Sequence, residues 1–424
     1  MTKPTELLPL KNIVAPATPG EVEATLRDCF ATSTPAYLLG GETSLDFGLP
    51  AKTPGIGLSM AKLDRVLDYP ARDMTITVEA GLTMQALADT LAAENQQLPI
   101  DVPNPAKATI GGVIATNFNG PRRYGAGTIR DYVIGISAVD GRGEPFKGGG
   151  RVVKNVAGYD FCKLLTGSLG TLGAITQVTL RLKPRPESTA LVACPIPDLA
   201  EAERLLSAII TSETTPVAVE LIGGPEWGDP LSVNADGTFA GSGARMQNCA
   251  GLLVVGLEGT TVEVRWMVDR LKREWRELGV IVSREWLETD AAEVWRRLSE
   301  FPSHRPSPLV VKAGVRPSGV TAMIEAMKAV DANISFQAHA GNGVVIGRLA
   351  SFPTTGLSRT LVGRLQAVAA AHDGHIVVLS NPGGAEMTHQ SVWGGPGASF
   401  ELMTAVKRQF DPRDVLNPGR FVYV

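Results

Sequence analysis

The feature that most constrains this chain is a run of small and polar residues at positions 103–131, PNPAKATIGGVIATNFNGPRRYGAGTIRD. Its paired glycines and many hydroxyl and amide side chains fill a hydrophobic core poorly. Gly111 and Gly112 have no Cβ, so the main chain can approach another group closely at these positions. The run therefore predicts a surface where backbone amides contact a large, flat, phosphorylated ligand.

Length and composition set the class of protein. A chain of 424 residues is longer than a single hydrophobic core usually organises, which favours two domains. The net charge of -3, with mixed signs, gives no indication of nucleic-acid binding. The four cysteines include no CxxC pair, which disfavours a zinc or iron–sulfur site in this chain. No apolar run is long enough for a membrane span, so we expect a cytoplasmic protein, at most peripheral on the inner face of the cytoplasmic membrane.

A second glycine cluster follows a short apolar strand at residues 37–39. Gly40, Gly41, Glu42, Thr43 and Ser44 present consecutive backbone N–H groups and two hydroxyls. Such a loop suits a pyrophosphate. A plain tight turn is an equally good interpretation from these residues alone.

Other segments give a coarse map of the chain. A glycine–hydroxyl loop at 167–173 lies in the block KNVAGYDFCKLLTGSLGTLGAI, and Gly148 to Gly150 predict a flexible loop. Strand–helix–strand patterns recur at 189–222, 251–284 and 309–349, which predicts an α+β domain of ferredoxin-like units. Residues 225–248 predict a loop. The tail at 410–420 shows turn residues and no core pattern, as expected of a segment that returns to the ligand.

Several familiar motifs are missing. There is no GxGxxG after a strand, no GxxxxGK[ST], no HExxH and no GxSxG. These absences disfavour a nicotinamide Rossmann domain, a P-loop hydrolase, a zinc protease and a serine hydrolase.

Four blocks carry a family resemblance: GGETS, ATIGGVIATN, RYGAGTIRD and KNVAGYDFCKLLTGSLGTLGAITQVTL. In this order they resemble the FAD-binding domain of the vanillyl-alcohol oxidase (PCMH-type) superfamily, and the whole chain resembles the FAD-binding E subunits of bacterial glycolate oxidases. The resemblance implies an α+β fold: a two-subdomain FAD-binding domain at 1–186, an α+β ferredoxin-like cap at 187–400, and a C-terminal segment at 401–424 packing near the flavin.

The resemblance also implies which residues bind FAD. The loop after the first strand is expected at the pyrophosphate, the TIGG block at the flavin and ribityl chain, and the 167–175 block along the adenine and pyrophosphate. Glu42 departs from the glycine usual in that loop. The expected set is Gly40, Gly41, Glu42, Thr43, Ser44, Pro103, Thr109, Ile110, Gly111, Gly112, Ala115, Thr116, Asn117, Tyr124, Gly125, Gly167, Ser168, Gly170, Thr171, Gly173, Ile175 and Asn417.

Some relatives attach the flavin through a histidine or cysteine. Here no histidine precedes His304, and Cys29 and Cys162 fit core positions. We therefore expect non-covalent FAD.

Catalytic relatives that act on D-2-hydroxy acids carry an HxGxGNxH-like segment and a later EHG segment that together hold a metal ion. Here His339 is present, but Ile346 takes the second histidine position, and residues 380–386 read SNPGGAE. An isoleucine cannot ligate a metal, so no metal site is expected. Catalytic residues stay unassigned; His339, Arg316 and Lys312 are candidates. A hydrogen-bonded strand-end residue is the alternative for His339, and solvated surface charge the alternative for Lys312 and Arg316.

The resemblance implies the FAD-binding subunit of a glycolate oxidase complex, which converts a 2-hydroxy acid such as glycolate to the 2-oxo acid. Its partners would be a second FAD-binding catalytic subunit with the metal-assisted site and an iron–sulfur subunit. Two alternatives remain: a stand-alone FAD-dependent dehydrogenase of alcohols or hydroxy acids, and a structural subunit that keeps the fold without catalysis.

Overall fold

The computed structural model describes residues 7–150, 158–228, 249–280, 282, 284–303, 307–395 and 397–421. Of the predicted loop at 225–248, residues 229–248 lie outside these residues, as does the segment KNVA at 154–157, whereas Pro225–Trp227 form a short 3-10 helix. The chain divides into two compact units. The first unit contains residues 1–119, 128–185 and 395–424, and the second contains 120–127 and 186–394. We keep the boundaries at 186 and 400 as a proposal about folding domains.

The strands are β1 Leu10–Val14, β2 Ala36–Leu39, β3 Gly55–Ser59, β4 Val66–Asp68, β5 Thr75–Glu79, β6 Gln96–Gln97, β7 Val133–Val139, β8 Pro145–Gly149, β9 Ala174–Arg181, β10 Lys183–Pro184, β11 Ser188–Ile196, β12 Ala218–Gly223, β13 Gly251–Gly259, β14 Arg284–Leu287, β15 Leu309–Gly314, β16 Ser335–His339, β17 Val344–Leu349 and β18 His375–Ser380. The α-helices are α1 Pro19–Thr32, α2 Met84–Ala92, α3 Ile110–Thr116, α4 Arg123–Ala126, α5 Ile129–Tyr132, α6 Phe161–Leu165, α7 Leu199–Ile210, α8 Thr261–Glu277, α9 Glu288–Glu300, α10 Val320–Val330, α11 Leu357–Thr360, α12 Gln366–Ala371, α13 His389–Trp393 and α14 Phe400–Phe410.

The first unit begins with a small parallel sheet in the order β1-β3-β2. Helix α1 packs on it through Val22 and Leu26, which are fully buried. This helix starts where the sequence predicts, because Thr18 accepts a hydrogen bond from the Glu21 amide and Pro19 occupies the first turn. The strand β2 then leads directly into the glycine loop at residue 40.

A second sheet of the first unit has five antiparallel strands in the order β4-β5-β9-β7-β8. Its core also contains apolar side chains from α2 and α3, including Leu87, Ile110 and Ile114. Gly148 and Gly149 lie within β8, paired with β7. The prediction of a loop there was wrong, because pairing with a neighbouring strand outweighs the low strand preference of glycine.

The second unit is built on one eight-stranded antiparallel sheet, in the order β14-β11-β13-β12-β16-β17-β15-β18. Numbered 1 to 4 along the chain, strands β11 to β14 have the ferredoxin-like order 4-1-3-2 across the sheet. Strands β15 to β18, numbered in the same way, have the reverse order 2-3-1-4. Two ferredoxin-like halves therefore join through the pairing of β12 with β16. The predicted α+β class and ferredoxin-like cap are confirmed.

The central pairing fixes which side chains share a face of this sheet. Glu220 of β12 lies opposite His339 of β16. Two residues along, Gln337 lies opposite Ile346 of β17, which lies opposite Lys312 of β15. Directly opposed residues, and those two apart, point to the same side. Glu220, Gln337, His339, Ile346 and Lys312 thus share one face.

The C-terminal tail is part of the first unit's core. Val415 and Leu416 are buried, and Leu416 forms a parallel bridge with Ala36. The absence of a core pattern at 410–420 was therefore misleading. Two apolar residues are too few for periodicity to reveal, yet they complete the small sheet.

Candidate functional site

A large cavity opens in the first unit. It holds about 1110 Å³ of empty space, including the part open to solvent. Its walls come from the loop after β2, the segment that leads into α3, the loop before β9, and the C-terminal tail. These four segments are far apart in sequence, and the folding of the first unit brings them together.

The loop after β2 offers a concave row of donors. Among the described residues, no acceptor is found for the backbone amides of Gly41, Glu42, Thr43 and Ser44. Glu42 has a left-handed φ of 59°, a conformation that favours glycine, and its side chain is exposed. Successive amides around a left-handed residue form a nest suited to an anion. Glu42 also lines the cavity, so its exposed carboxylate places a negative charge beside this nest.

The glycines of the cavity have a different role from the one the sequence suggested. A Cβ at Gly41 would lie 1.6 Å from the carbonyl oxygen of Lys107, and one at Gly111 would lie 2.9 Å from the carbonyl oxygen of Ala80. Both distances are too short for a real contact. These glycines therefore allow protein segments to approach one another, and the approach shapes the cavity wall.

The C-terminal tail closes one side of the cavity. Asn417 donates from Nδ2 to the Leu169 carbonyl at 2.7 Å and accepts at Oδ1 from the Leu38 amide at 3.0 Å. Arg420 donates to the carbonyls of Leu45 and Phe47. Burial lowers the pKa of Arg420 to about 10. The tail thus connects the glycine loop to the loop before β9.

The structure brings most of the predicted cofactor residues to this cavity. Those in its wall are Gly40, Gly41, Glu42, Thr43, Ser44, Pro103, Thr109, Gly111, Gly112, Ala115, Thr116, Gly170, Gly173, Ile175 and Asn417. Ile110, Asn117, Gly167, Ser168 and Thr171 belong to the first unit but do not line it, and Tyr124 and Gly125 belong to the second unit. Cofactor contact by each of these residues stays a prediction.

Sequence reasoning missed the apolar part of the wall. The additional lining residues are Leu8, Leu38, Leu39, Leu45, Phe47, Met60, Ala80, Val102, Ala108, Val113, Phe118, Leu169 and Arg420. Adjacency to the glycine blocks could have indicated some of them, such as Leu38 and Leu39. Others, such as Met60, have no local signal because folding alone brings them there.

The cavity fits FAD on its own geometry. Unpaired amides at one place suit the pyrophosphate, and an extended apolar wall suits the flat ring system. The two thiols of the first unit do not line the cavity, and both are buried: burial raises the pKa of Cys162 to about 11, and it also raises the pKa of Cys29.

The second unit contains a buried polar cluster on the shared sheet face. Glu220 is fully buried; one of its carboxylate oxygens accepts from Gln337 Nε2 at 2.7 Å. His339, also buried, places Nδ1 at 2.8 and 2.9 Å from the two Glu220 oxygens. The strand-end histidine is thus hydrogen-bonded, as the alternative interpretation required, and its partner is a carboxylate.

Two cations lie beside this cluster. Burial, and to a smaller extent the nearby Arg123, lower the pKa of Lys312 to about 8. Burial also lowers the pKa of Arg123, against the attraction of Glu220. The buried Nε of Arg123 has no hydrogen-bond partner among the described residues. Lys312 is half-buried in β15, so it is less solvated than a free surface charge.

Arg316 lies in a different environment. Its side chain is 68% exposed and forms a surface ion pair with Asp373. Ile346 is buried between Gln337 and Lys312 in the sheet register and packs in the apolar core of the unit. In the described part of the chain, no group of three or more metal-ligating side chains is found.

Arg123 reaches the second unit on a short excursion of the chain, residues 120–127. The Gly125 amide donates to the Val217 carbonyl at 3.1 Å. Arg122 pairs with Glu258 at 2.7 Å and stacks on Trp295. These contacts fix the excursion on the second unit and hold Arg123 near Glu220 and Lys312.

Comparisons with known proteins agree with this site. Residues 10–149 match the FAD binding domain family, and residues 384–421 match the C-terminal domain of FAD linked oxidases. The fold resembles that of alkyldihydroxyacetonephosphate synthase, with a TM-score of 0.67 and 16% identity over 96% of this chain and 76% of that one.

Three curated relatives are informative. The mitochondrial D-lactate dehydrogenase [cytochrome] of Arabidopsis thaliana is 27% identical over 97% of this chain and 73% of its own length. Glycolate oxidase subunit GlcD of Bacillus subtilis is 26% identical over 96% of this chain and 88% of its own length. Glycolate oxidase subunit GlcE of Escherichia coli is 32% identical over 39% of this chain and 47% of its own length.

The family matches and the curated relatives indicate an FAD-dependent oxidoreductase. The chain contains segments that match the FAD binding domain and the C-terminal domain of FAD linked oxidases, and it is similar to PCMH-type FAD-linked oxidases, as its sequence blocks indicated. No helix among the described residues has the length and apolar character needed to cross a membrane.

Proposed function

We propose that this chain is the FAD-binding subunit of a glycolate-oxidase-type complex, in which a small 2-hydroxy acid such as glycolate is oxidised to the 2-oxo acid. FAD, bound without a covalent link, supplies the hydride acceptor. The proposal rests on the cavity of the first unit together with the polar cluster of the second.

One observation carries the choice of substrate class. Lys312 and Arg123 give the cluster two positive charges, whereas Glu220 gives it one negative charge, and both oxygens of that carboxylate are already used by Gln337 and His339. Among the described residues, neither cation forms an ion pair with a carboxylate. A partly buried site with excess positive charge favours an anion. A carboxylate of a hydroxy acid meets this requirement.

The relatives' names agree with this class. They specify D-lactate, glycolate and D-2-hydroxyglutarate, each of which is a 2-hydroxy acid. In this chain, Lys312 and Arg123 would hold the substrate carboxylate, and the buried surroundings would limit the water that competes for both cations.

The subunit role is supported by two relatives that are named as subunits of glycolate oxidase. A complex of this kind would include a second FAD-binding catalytic subunit with a metal-assisted site and an iron–sulfur subunit that accepts electrons. Because the cysteines of this chain are scattered, the ligands of an iron–sulfur cluster would come from such a partner.

A stand-alone dehydrogenase is the second candidate, because similarity to D-lactate dehydrogenase spans 97% of this chain. A structural subunit without catalysis is the third candidate. A flavin spectrum in the purified protein would exclude loss of the cofactor.

Anaerobic mixing tests the substrate class. The purified chain, mixed with glycolate, lactate or 2-hydroxyglutarate, should lose the absorbance of oxidised flavin with at least one of these acids. Matched alcohols that lack the carboxylate should leave the absorbance unchanged. Bleaching by alcohols alone, or by none of the compounds, would contradict the hydroxy-acid proposal.

A further inference from the structure

The pair formed by Glu220 and His339 has more close polar contacts than a single hydrogen bond at a strand end would provide. Both carboxylate oxygens of Glu220 lie within 2.9 Å of His339 Nδ1. Gln337 holds one of these oxygens at 2.7 Å through an N–H donor. All three residues are buried, with exposed fractions of 0%, 3% and 0% for Glu220, His339 and Gln337.

This geometry selects one tautomer of the imidazole. A carboxylate can only accept hydrogen bonds, so Nδ1 must carry the proton that it shares with Glu220. The other ring nitrogen, Nε2, is then free of a proton in the neutral ring and can accept one. Within the described part of the chain, Nε2 has no hydrogen-bond partner.

The surroundings connect this pair with the anion site. Glu220 attracts Arg123, and Arg123 in turn acts on Lys312. The pairing of β12, β16, β17 and β15 places Glu220, His339 and Lys312 on one face of the sheet. A small acid bound by the two cations would therefore present its neighbouring hydroxyl close to the histidine.

We propose that Glu220 is a positioning residue that fixes His339 as the proton acceptor for the substrate hydroxyl, so that this chain performs the deprotonation without a metal ion. The inference rests on the proposed function. In the step, the O–H bond of the 2-hydroxy acid breaks and its proton passes to Nε2 of His339. Bound FAD would supply the acceptor for the hydride that leaves C2 in this oxidation.

The first test reads the tautomer and needs no substrate. In protein labelled with ¹⁵N-histidine, the ring shifts of His339 are assigned by their loss in His339→Gln. We expect the Nδ1–H form in the wild type, whereas Glu220→Gln should populate the Nε2–H form because its amide can donate to Nδ1. A wild-type Nε2–H form would overturn the proposal even if no substrate were ever found.

The second test measures the rate of flavin reduction under single-turnover conditions. Glu220→Gln should lower the rate about 10²-fold or more, with the substrate Kd changed less than about threefold, because the cations remain. His339→Gln should have a similar effect, and the double variant should be no slower than the slower single variant. An unchanged rate of flavin reduction in either single variant would overturn the proposal. A double variant in which the rate losses of the two single variants combine in full would also overturn it.

A matched control separates positioning from folding. Glu226 also forms an ion pair in the second unit, with the buried Arg348 at 2.7 Å. Glu226→Gln makes the same chemical change away from the anion site. It should leave both the tautomer and the rate unchanged. If Glu226→Gln slowed flavin reduction as much as Glu220→Gln, the role of Glu220 would be structural and the proposal would fail.

Discussion

At the scale of single residues, a substitution of Lys312 tests whether this side chain binds the substrate or only supports the fold. Its pKa is lowered to about 8 by burial and by Arg123, so the protonated form opposes folding. Lys312→Met removes this cost. We expect the free energy of unfolding at pH 7 to rise on the order of 1 kcal/mol, while binding of the dead-end anion oxalate is lost. Denaturant titration and calorimetry measure the two effects.

The pH dependence has a defined sign. Because the folded pKa lies below the value of 10.5 in a free side chain, the cost of burying the charge is full below pH 8 and fades between pH 8 and 10.5. The stabilisation by Lys312→Met should shrink over the same range. Oxalate affinity of the wild type should fall as pH rises through 8, and Lys312→Arg should remove this fall. Parallel loss of stability and binding in Lys312→Met would indicate a structural lysine.

Glu42 provides a second test at this scale. A non-glycine residue in the left-handed region is strained by about 1 kcal/mol, and Glu42 also places a negative charge beside the amide nest. Glu42→Gly should raise both the stability and the FAD affinity. Glu42→Ala removes the charge but keeps the strain, so it should raise the affinity alone. Unchanged FAD affinity in both variants would mean that the phosphates bind elsewhere.

At the scale of elements, the end of α14 anchors the tail that closes the FAD cavity. Lys407 is buried; its Nζ lies 2.5 Å from Asp411 Oδ2 and also donates to the Thr171 and Leu416 carbonyls. Lys407→Met would leave the buried Asp411 carboxylate without its cation, with only the amides of Val415 and Leu416 as donors. We expect a loss of about 3 kcal/mol in stability and weaker FAD binding, measured by denaturation and flavin titration.

The matched control for this anchor is Lys163, which forms a half-exposed pair with Asp160 on α6. Lys163→Met should change stability by less than about 1 kcal/mol and leave FAD affinity unchanged. If Lys407→Met bound FAD as tightly as the wild type, the tail would not depend on this pair.

Sequence patterns predicted the elements well where periodicity was strong. The strands near 133–139 and 174–182, and the first strand and the helix of 309–349, were found close to their observed bounds, whereas the single strand predicted at the end of that region is two strands, β16 and β17, separated by a turn. The glycines were located correctly but explained incompletely. Gly41 and Gly111 face the protein, because the partners of their missing Cβ atoms come from distant segments that no local pattern reveals.

At the scale of the whole chain, long-range pairing determined what sequence could not predict. The contact of Glu220 with His339 depends on the joining of two ferredoxin-like halves, and nothing near either residue indicates that pairing. The effect of Arg123 on the pKa of Lys312 likewise depends on the excursion of residues 120–127 to the second unit. The cofactor cradle was predictable from its sequence blocks, whereas the polar cluster required the fold.

The most direct test of the central claim compares the purified chain with the same chain assembled with its co-purifying partners. The chain alone should contain FAD and be reduced once by a 2-hydroxy acid, and sustained turnover with a dye acceptor should require the partners. Turnover by the isolated chain at the rate of the full assembly would contradict the subunit role, and absence of FAD from the isolated chain would contradict the account as a whole.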